Sequence, residues 1–380
     1  MTNAPLYIDI HALQTVPPSC INRDDTGSPK TARFGGVRRA RVSSQAWKKA
    51  MRDEFENLLD ESVVGWRTKD VINLIAEQVK LLSPELDDKS ALDAATASFK
   101  ATGIKLKGNE TEYLLFISPL QVEALAKLGV AALEQGSKVD AKEAKTILNV
   151  RQRPTLNAVD VALFGRMVAD DPTLNVDAAV QVAHALSIDA SDPEFDYYTA
   201  MDDRSPEDNA GAGMIGTVEF LSATFYRYAT IDVRHLYENL GSVQATKKAV
   251  EAFLRAFAVS MPTGKQNTFA NRTLPSAVLV QARRSQPVSL VNAFDRPVSA
   301  YGDKSQLAVA CERLIEQERA IDGAFGVAPE RTWAVAAASD AEKLGEIADV
   351  QASLEESISQ IAETVEAYLS EAGFTDEGVE

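Results

Sequence analysis

Two hydrophobic periods divide the chain. In Pro5–Leu13, Leu6, Ile8 and Ile10 alternate with more polar residues, the two-residue period of a half-buried strand. A stretch rich in Pro, Asn, Asp and Gly covers Pro17–Gly36 and is expected to be a loop. The run ARVSSQAWKKAMRDEFENLL then predicts a strand end, a serine cap and a helix. Ser43 or Ser44 can cap it, and Trp47, Ala50, Met51 and Phe55 form one helical stripe.

From about Thr68 to Ala190 the period is helical: VINLIAEQVKLL, ALDAATASFKA, QVEALAKLGVAALEQ, AKEAKTILNV, LNAVDVALFGRMV and DAAVQVAHALS all carry it. This is more helix than a crossover needs, and it predicts an inserted helical lobe. Ser191–Gly216 is polar, glycine-rich and long for a connection. Strand character returns in TVEFLSATFYRYATIDV, SAVLVQARR, PVSLVNAFDRPV and RTWAVAAAS. Between these lie helices at VRHLYENLG (ended by Gly241), TKKAVEAFLRAFAVSM and QLAVACERLIEQERAI, with a last helix over Leu344–Glu371 and an acidic end. The expected class is α+β, an antiparallel sheet carrying packed helices and interrupted by a helical insertion and a long loop.

Composition changes this picture little; charge changes it more. The 380 residues suffice for two or three compact units. No stretch approaches the roughly 20 apolar residues that span a bilayer. The N-terminus lacks a basic region and is not expected to be a signal peptide. Cys20 and Cys311 stand far apart, which fits a reducing, cytoplasmic setting. The net charge is −16, yet Ser19–Arg52 holds nine Lys and Arg against Asp24 and Asp25. That window carries +7 and leaves −23 on the rest. A basic patch on an acidic body draws a polyanion to one place and repels it elsewhere.

Catalytic chemistry is poorly supplied. His11, His184 and His235 are scattered, with His184 expected in an amphipathic helix as a packed imidazole. H-E-x-x-H, C-x-x-C, P-loop and G-x-S-x-G motifs are all missing. Asp24–Asp25 and Asp202–Asp203 are expected to serve turns rather than a metal. No cofactor or metal site is expected. The basic segment suits a phosphate chain better. Gly35 and Gly36 allow close backbone approach, Arg38, Arg39 and Arg41 can fork onto phosphate oxygens, and Ser43, Ser44 and Gln45 open a helix whose N-terminus favours an anion. Neighbouring strand residues face opposite ways, so some of these arginines must make structural pairs. Tyr197 and Tyr198 on the long loop can stack on bases, and Met167 beside Arg166 can wedge between them. Core packing is the plainer expectation for all three.

These residues also fall into ordered motifs. Asn22-Arg23-Asp24-Asp25, Phe34-Gly35-Gly36, Arg38-Arg39-x-Arg41-x-Ser43-Ser44-Gln45 and Val159-Asp160-x-Ala162-Leu163-x-Gly165-Arg166-Met167 come first. Asp196-Tyr197-Tyr198, Phe225-Tyr226-Arg227-Tyr228-Ala229, Glu238-Asn239-Leu240-Gly241, Gly264-Lys265-Gln266 and Asn292-Ala293-Phe294 follow. In this order they resemble the CasC family, the backbone subunits of the type I-E CRISPR surveillance complex, Cascade. The resemblance runs to about residue 300.

The resemblance implies an RNA-recognition-motif-like (ferredoxin-like) palm at residues 1–67 and 217–380, helical fingers at 68–190 and a thumb hairpin at 191–216, with its tip near Asp203–Ala212. It implies copies stacked head to tail along a CRISPR RNA that pairs with target DNA. Other Cascade subunits (large, small, guide-capping and guide-processing) are the further partners, with no membrane and no catalytic residues. The RNA contacts it implies are Arg23, Lys30, Ser43, Gln45, Lys48, Lys49 and Arg52, the last where a lysine is expected. Arg38, Arg41, Lys265 and Gln266 join this set, and Met167, Tyr197 and Tyr198 match base-contacting positions. Lys138, Lys142 and Lys145 stand where the family touches target DNA, interrupted here by Asp140 and Glu143. The rival reading is a guide-RNA-processing ribonuclease of the same sheet family, metal-dependent or not, with His11 as its base.

Overall fold

The alternating run near the N-terminus becomes the middle of a sheet. The computed structural model describes residues 4–201 and 211–376. Strand β1 (Tyr7–Ser19) is followed by β2 (Thr31–Phe34), β3 (Val37–Val42) and helix α1 (Ser44–Leu58). Next come β4 (Trp66–Thr68), α2 (Val71–Leu82), α3 (Asp88–Lys100), β5 (Leu106–Lys107), β6 (Glu110–Thr111) and β7 (Leu115–Ile117). They continue into α4 (Pro119–Glu134), α5 (Ala141–Leu148) and α6 (Val159–Phe164). The chain returns to the sheet through β8 (Val180–Val182), β9 (Ala185–Ser187), β10 (Glu194–Met201) and β11 (Gly211–Asp232). It ends with α7 (Val233–Leu240), α8 (Val243–Val259), α9 (Gln266–Phe269), β12 (Ala277–Arg283), α10 (Gln306–Phe325), β13 (Arg331–Ala336), β14 (Val350–Gln351) and α11 (Leu354–Glu371).

The large sheet runs β14-β13-β12-β1-β11-β9-β3-β2, with β8 and β10 also paired to β11. Its ladders are antiparallel except β13 with β14. Both faces are covered. Ile8, Ile10 and Ala12 of β1 join a core built with α1, α8 and α11, and Leu13 joins a second core under α10. The helical segment has its own core, running from Val71 through Phe99 and Leu125 to Leu174.

Burial on both faces corrects the half-buried reading of β1. The polar residues between its aliphatic ones, Asp9 and His11, are sealed in. Asp9 lies 3.3 Å from Arg283, which also meets Glu318 at 2.5 Å. Paired charges and hydrogen bonds are what make such burial tolerable.

Four other expectations change. Pro17–Gly36 is not all loop, because β1 extends to Ser19 and β2 occupies Thr31–Phe34. DAAVQVAHALS is not a helix. Val180–Val182 pairs with Ala229–Ile231 and Ala185–Val42 pairing closes the next strand, so the growing sheet decides what a short apolar run cannot. PVSLVNAFDRPV forms no strand but a 3₁₀ turn at Val291–Phe294, with Val288 N–H held by Asp9 and Leu290 N–H by Tyr226. The last helix starts at Leu354, where Ser353 and Glu356 form a capping box, after a 3₁₀ stretch and β14. Asp202–Asp203 and residues 203–210 of the expected tip lie outside the described residues.

Candidate nucleic-acid interface

The basic segment folds as a hairpin leading into a helix. Arg33 pairs with Arg38 and Phe34 with Val37 across a two-residue turn, Gly35–Gly36, whose φ values are 59° and 80°. Positive φ at both positions is the geometry that turns a hairpin tightly. Gly35 has a second duty: a Cβ there would fall 1.5 Å from the Asp295 carbonyl oxygen. This glycine makes room for protein, which corrects the expectation that it clears space for a phosphate chain.

The three arginines of β3 divide as strand geometry requires. Arg39 is fully buried and donates to the carbonyls of Ile188 (2.6 Å), Phe294 (2.8 Å) and Asp295 (3.1 Å). Arg38 is exposed, 3.7 Å from Asp192. Arg41 donates to the Thr31 carbonyl and, through Nη1, to His184 Nδ1 at 3.2 Å.

Backbone bonds gather the rest. Lys30 N–H donates to the Asn22 carbonyl, Arg41 N–H to the Lys30 carbonyl and Ser43 N–H to Asn22 Oδ1, each at 2.9 Å. Ser43 caps α1, its hydroxyl accepting Ala46 N–H. Trp47, Ala50, Met51 and Phe55 are its buried stripe, as their spacing predicted. Asp24 accepts the Thr26 hydroxyl and then the Ser28 and Thr26 N–H in the adjoining turn, which holds its carboxyl below the usual range. Gly264 packs on the Ile21 carbonyl and lines an open cavity with the Ile21–Gly27 segment, and Lys265, the next residue, shares the neighbourhood of Cys20 with Arg23. The fold therefore gathers Arg23, Lys30, Arg41, Ser43 and Lys265 in one region, with Gln266 exposed at the start of α9 after Lys265.

Along α1, Gln45 and Lys49 are exposed, and Lys49 pairs with Asp53 at 2.8 Å. Lys48 is half-buried with its ammonium 5.8 Å from the Phe164 ring centre, and burial draws its pKa down. Arg52 is committed inward. It donates to the buried Asp160 at 3.0 Å and lies over Phe116, so it departs from the expected phosphate contacts.

Three apolar candidates project into solvent, against the plainer reading of core packing. Met167 is 78% exposed and follows Arg166, a buried cation that donates to the carbonyls of Leu148, Leu174 and Phe116. Tyr197 is 73% exposed on β10, while Tyr198 lies against Gly216 on β11. Phe195, also exposed, shares the face of Tyr197 by the two-residue period of the strand, a period that shows only once 194–201 is seen to pair with β11. No described hydrogen bond or ion pair joins these residues to the basic cluster. Lys138 and Lys142 are exposed around the start of α5, and Lys145 pairs with Asp171 at 3.4 Å.

His11 is fully buried, with Nδ1 2.8 Å from the Tyr226 hydroxyl; burial and the nearby Arg283 push its pKa down to about 3. Among the described residues no cluster of His, Cys, Asp or Glu is placed to hold a metal ion, and no helix is long and apolar enough to cross a membrane.

This mixed α+β architecture is that of chains in CRISPR RNA-guided surveillance complexes. One such chain, from a complex described as pre-nicking, matches with a TM-score of 0.80 and 32% identity over 94% of this chain and 100% of that one. Another matches at 0.70 and 26% identity, covering 94% and 99%. Residues 8–364 match the family of CT1975-like proteins, and the chain belongs to that family. No curated protein sequence matches it.

Proposed function

We propose that this chain is a non-catalytic, guide-RNA-binding backbone subunit of a type I-E Cascade complex. Copies stack head to tail along the CRISPR RNA, meet the other Cascade subunits and hold the guide for pairing with target DNA. The observation that carries the reading is the cluster at the β3–α1 junction. Arg23, Lys30 and Arg41 gather there around Asn22, with Lys265 following Gly264 at the Ile21 carbonyl, on an otherwise acidic chain and beside the opening of a helix. Such a site grips backbone phosphates and leaves sequence to base pairing. The large sheet with α1, α7, α8 and α11 acts as palm, the lobe with its own core as fingers, and the β10–β11 hairpin as the thumb that carries Tyr197. Head-to-tail contact between identical chains yields an open filament.

The ribonuclease alternative finds no support in His11, which is sealed inside the sheet and held neutral. Co-expression with a CRISPR array and companion subunits tests the proposal. The expected product absorbs strongly at 260 nm and has a particle mass of several copies on one intact RNA. A lone chain free of RNA would reject the proposal, and RNA cleavage lost on H11A would install the ribonuclease.

A further inference from the structure

His184 was expected in a helix, and the sheet places it instead between β8 and β9, beside the basic cluster. Two groups that can only donate converge on its Nδ1. The Arg41 guanidinium reaches it at 3.2 Å and the Ser44 backbone N–H at 3.4 Å. An atom that accepts from both carries no hydrogen, so the ring is neutral and its proton sits on Nε2. Nε2 makes no hydrogen bond among the described residues, and the side chain is exposed.

The charges facing this ring are Arg41 from β3 and Lys30 from the segment before β2. Partial burial first, and then these two cations, hold the imidazole below its usual pKa in the free chain. A phosphate bound at Arg41 reverses that field, because its charge offsets both cations and its oxygens accept the Arg41 guanidinium and the Ser44 N–H in place of Nδ1. The Nδ1 lone pair is then free to take a proton, and the imidazolium becomes one more cation on the phosphate.

We propose that His184 is a proton-linked member of the RNA grip: a neutral acceptor for Arg41 and Ser44 N–H in the free chain, protonated when a phosphate docks there. This rests on the RNA-binding reading above. Its sign follows from linkage. The complex binds more protons at this ring than the free chain does, so affinity rises as pH falls between the ring's value in the complex and its lower value in the free chain.

The test is binding of a synthetic single-stranded guide RNA by the full chain at constant ionic strength, from about pH 8 to about pH 5.5. Calorimetry in buffers of different ionisation enthalpy counts the protons taken up. Wild type is expected to bind up to about tenfold tighter at the acid end, the effect of a shift of one pKa unit. H184N, which keeps an acceptor but cannot titrate, and H184A are both expected to flatten the profile and abolish proton uptake. If His184 were purely structural, the substitutions would instead lower affinity equally at every pH. RNA binding with the same profile in wild type and H184N overturns the role of His184 alone. No RNA binding at any pH, with circular dichroism unchanged, overturns the parent reading and this one with it.

Discussion

Arg41 and Arg52 carry the same guanidinium and end in opposite situations. Arg41 is held by a carbonyl and an imidazole, with no acid bonded to it among the described residues. Arg52, its side chain 24% exposed, neutralises a carboxylate that is completely buried and also accepts Gly65 N–H. Removing Arg52 strands that carboxylate, the costly way to break an ion pair. Arg52→Ala is expected to lose about 2–3 kcal/mol, less than a fully buried pair would lose. Burial already raises the Asp160 pKa, against the pull of Arg52. A carboxyl with a raised folded-state pKa contributes stability when protonated and loses it as pH rises through that value. Without Arg52 the value rises further, so the penalty should be largest at neutral pH and shrink under acid. Urea unfolding of both proteins across the acid range measures this. A penalty independent of pH would mean that Asp160 is not the group left stranded.

The β2–β3 hairpin joins the basic surface to the second core through its turn. Gly35 and Gly36 both have positive φ, but only Gly35 is pressed against another segment. Gly36→Ala meets nothing within 4 Å and should cost the left-handed penalty alone, about 1–2 kcal/mol. Gly35→Ala must also displace the Asp295 backbone, to which Arg39 is bonded, and should cost about 1–3 kcal/mol more. Equal shifts in urea midpoint would show that the hairpin does not rest on Asp295. The hairpin β10–β11 is the opposite kind of element. Its described aromatics at Phe195 and Tyr197 stand in solvent, which suits contact with something outside the chain.

At the scale of the molecule, the charge distribution is polar. The Ser19–Arg52 window carries +7 while −23 is spread over the remainder, so a polyanion is drawn to that segment and repelled elsewhere. For a single strand, affinity should fall with salt by about 0.7 log units per log unit for each phosphate contact. Lys48, half-buried against Phe164, has a restricted side chain and is expected to hold one such contact. Lys48→Ala should reduce the slope by about 0.7. An unreduced slope in a folded variant would remove Lys48 from the interface.

Local physics explains what was legible before any fold was known. The stripe of α1, its serine cap, Gly241 ending α7 and the main helices of the lobe all follow from periodicity and capping, which depend on neighbours in sequence. The basic window was legible for the same reason, being a matter of composition. Non-local pairing decided the rest. Asp9 and His11 face an interior because α10 covers the second side of the sheet, and β8 and β9 exist because β11 and β3 offer them open ladder positions. Arg39 and Arg52 differ from Arg41 and Lys48 by the carbonyls and the carboxylate that distant segments bring to them. A side chain's chemistry is written in the sequence, but its partners are set by the folded chain, and partners decide which cations remain free to meet an anion.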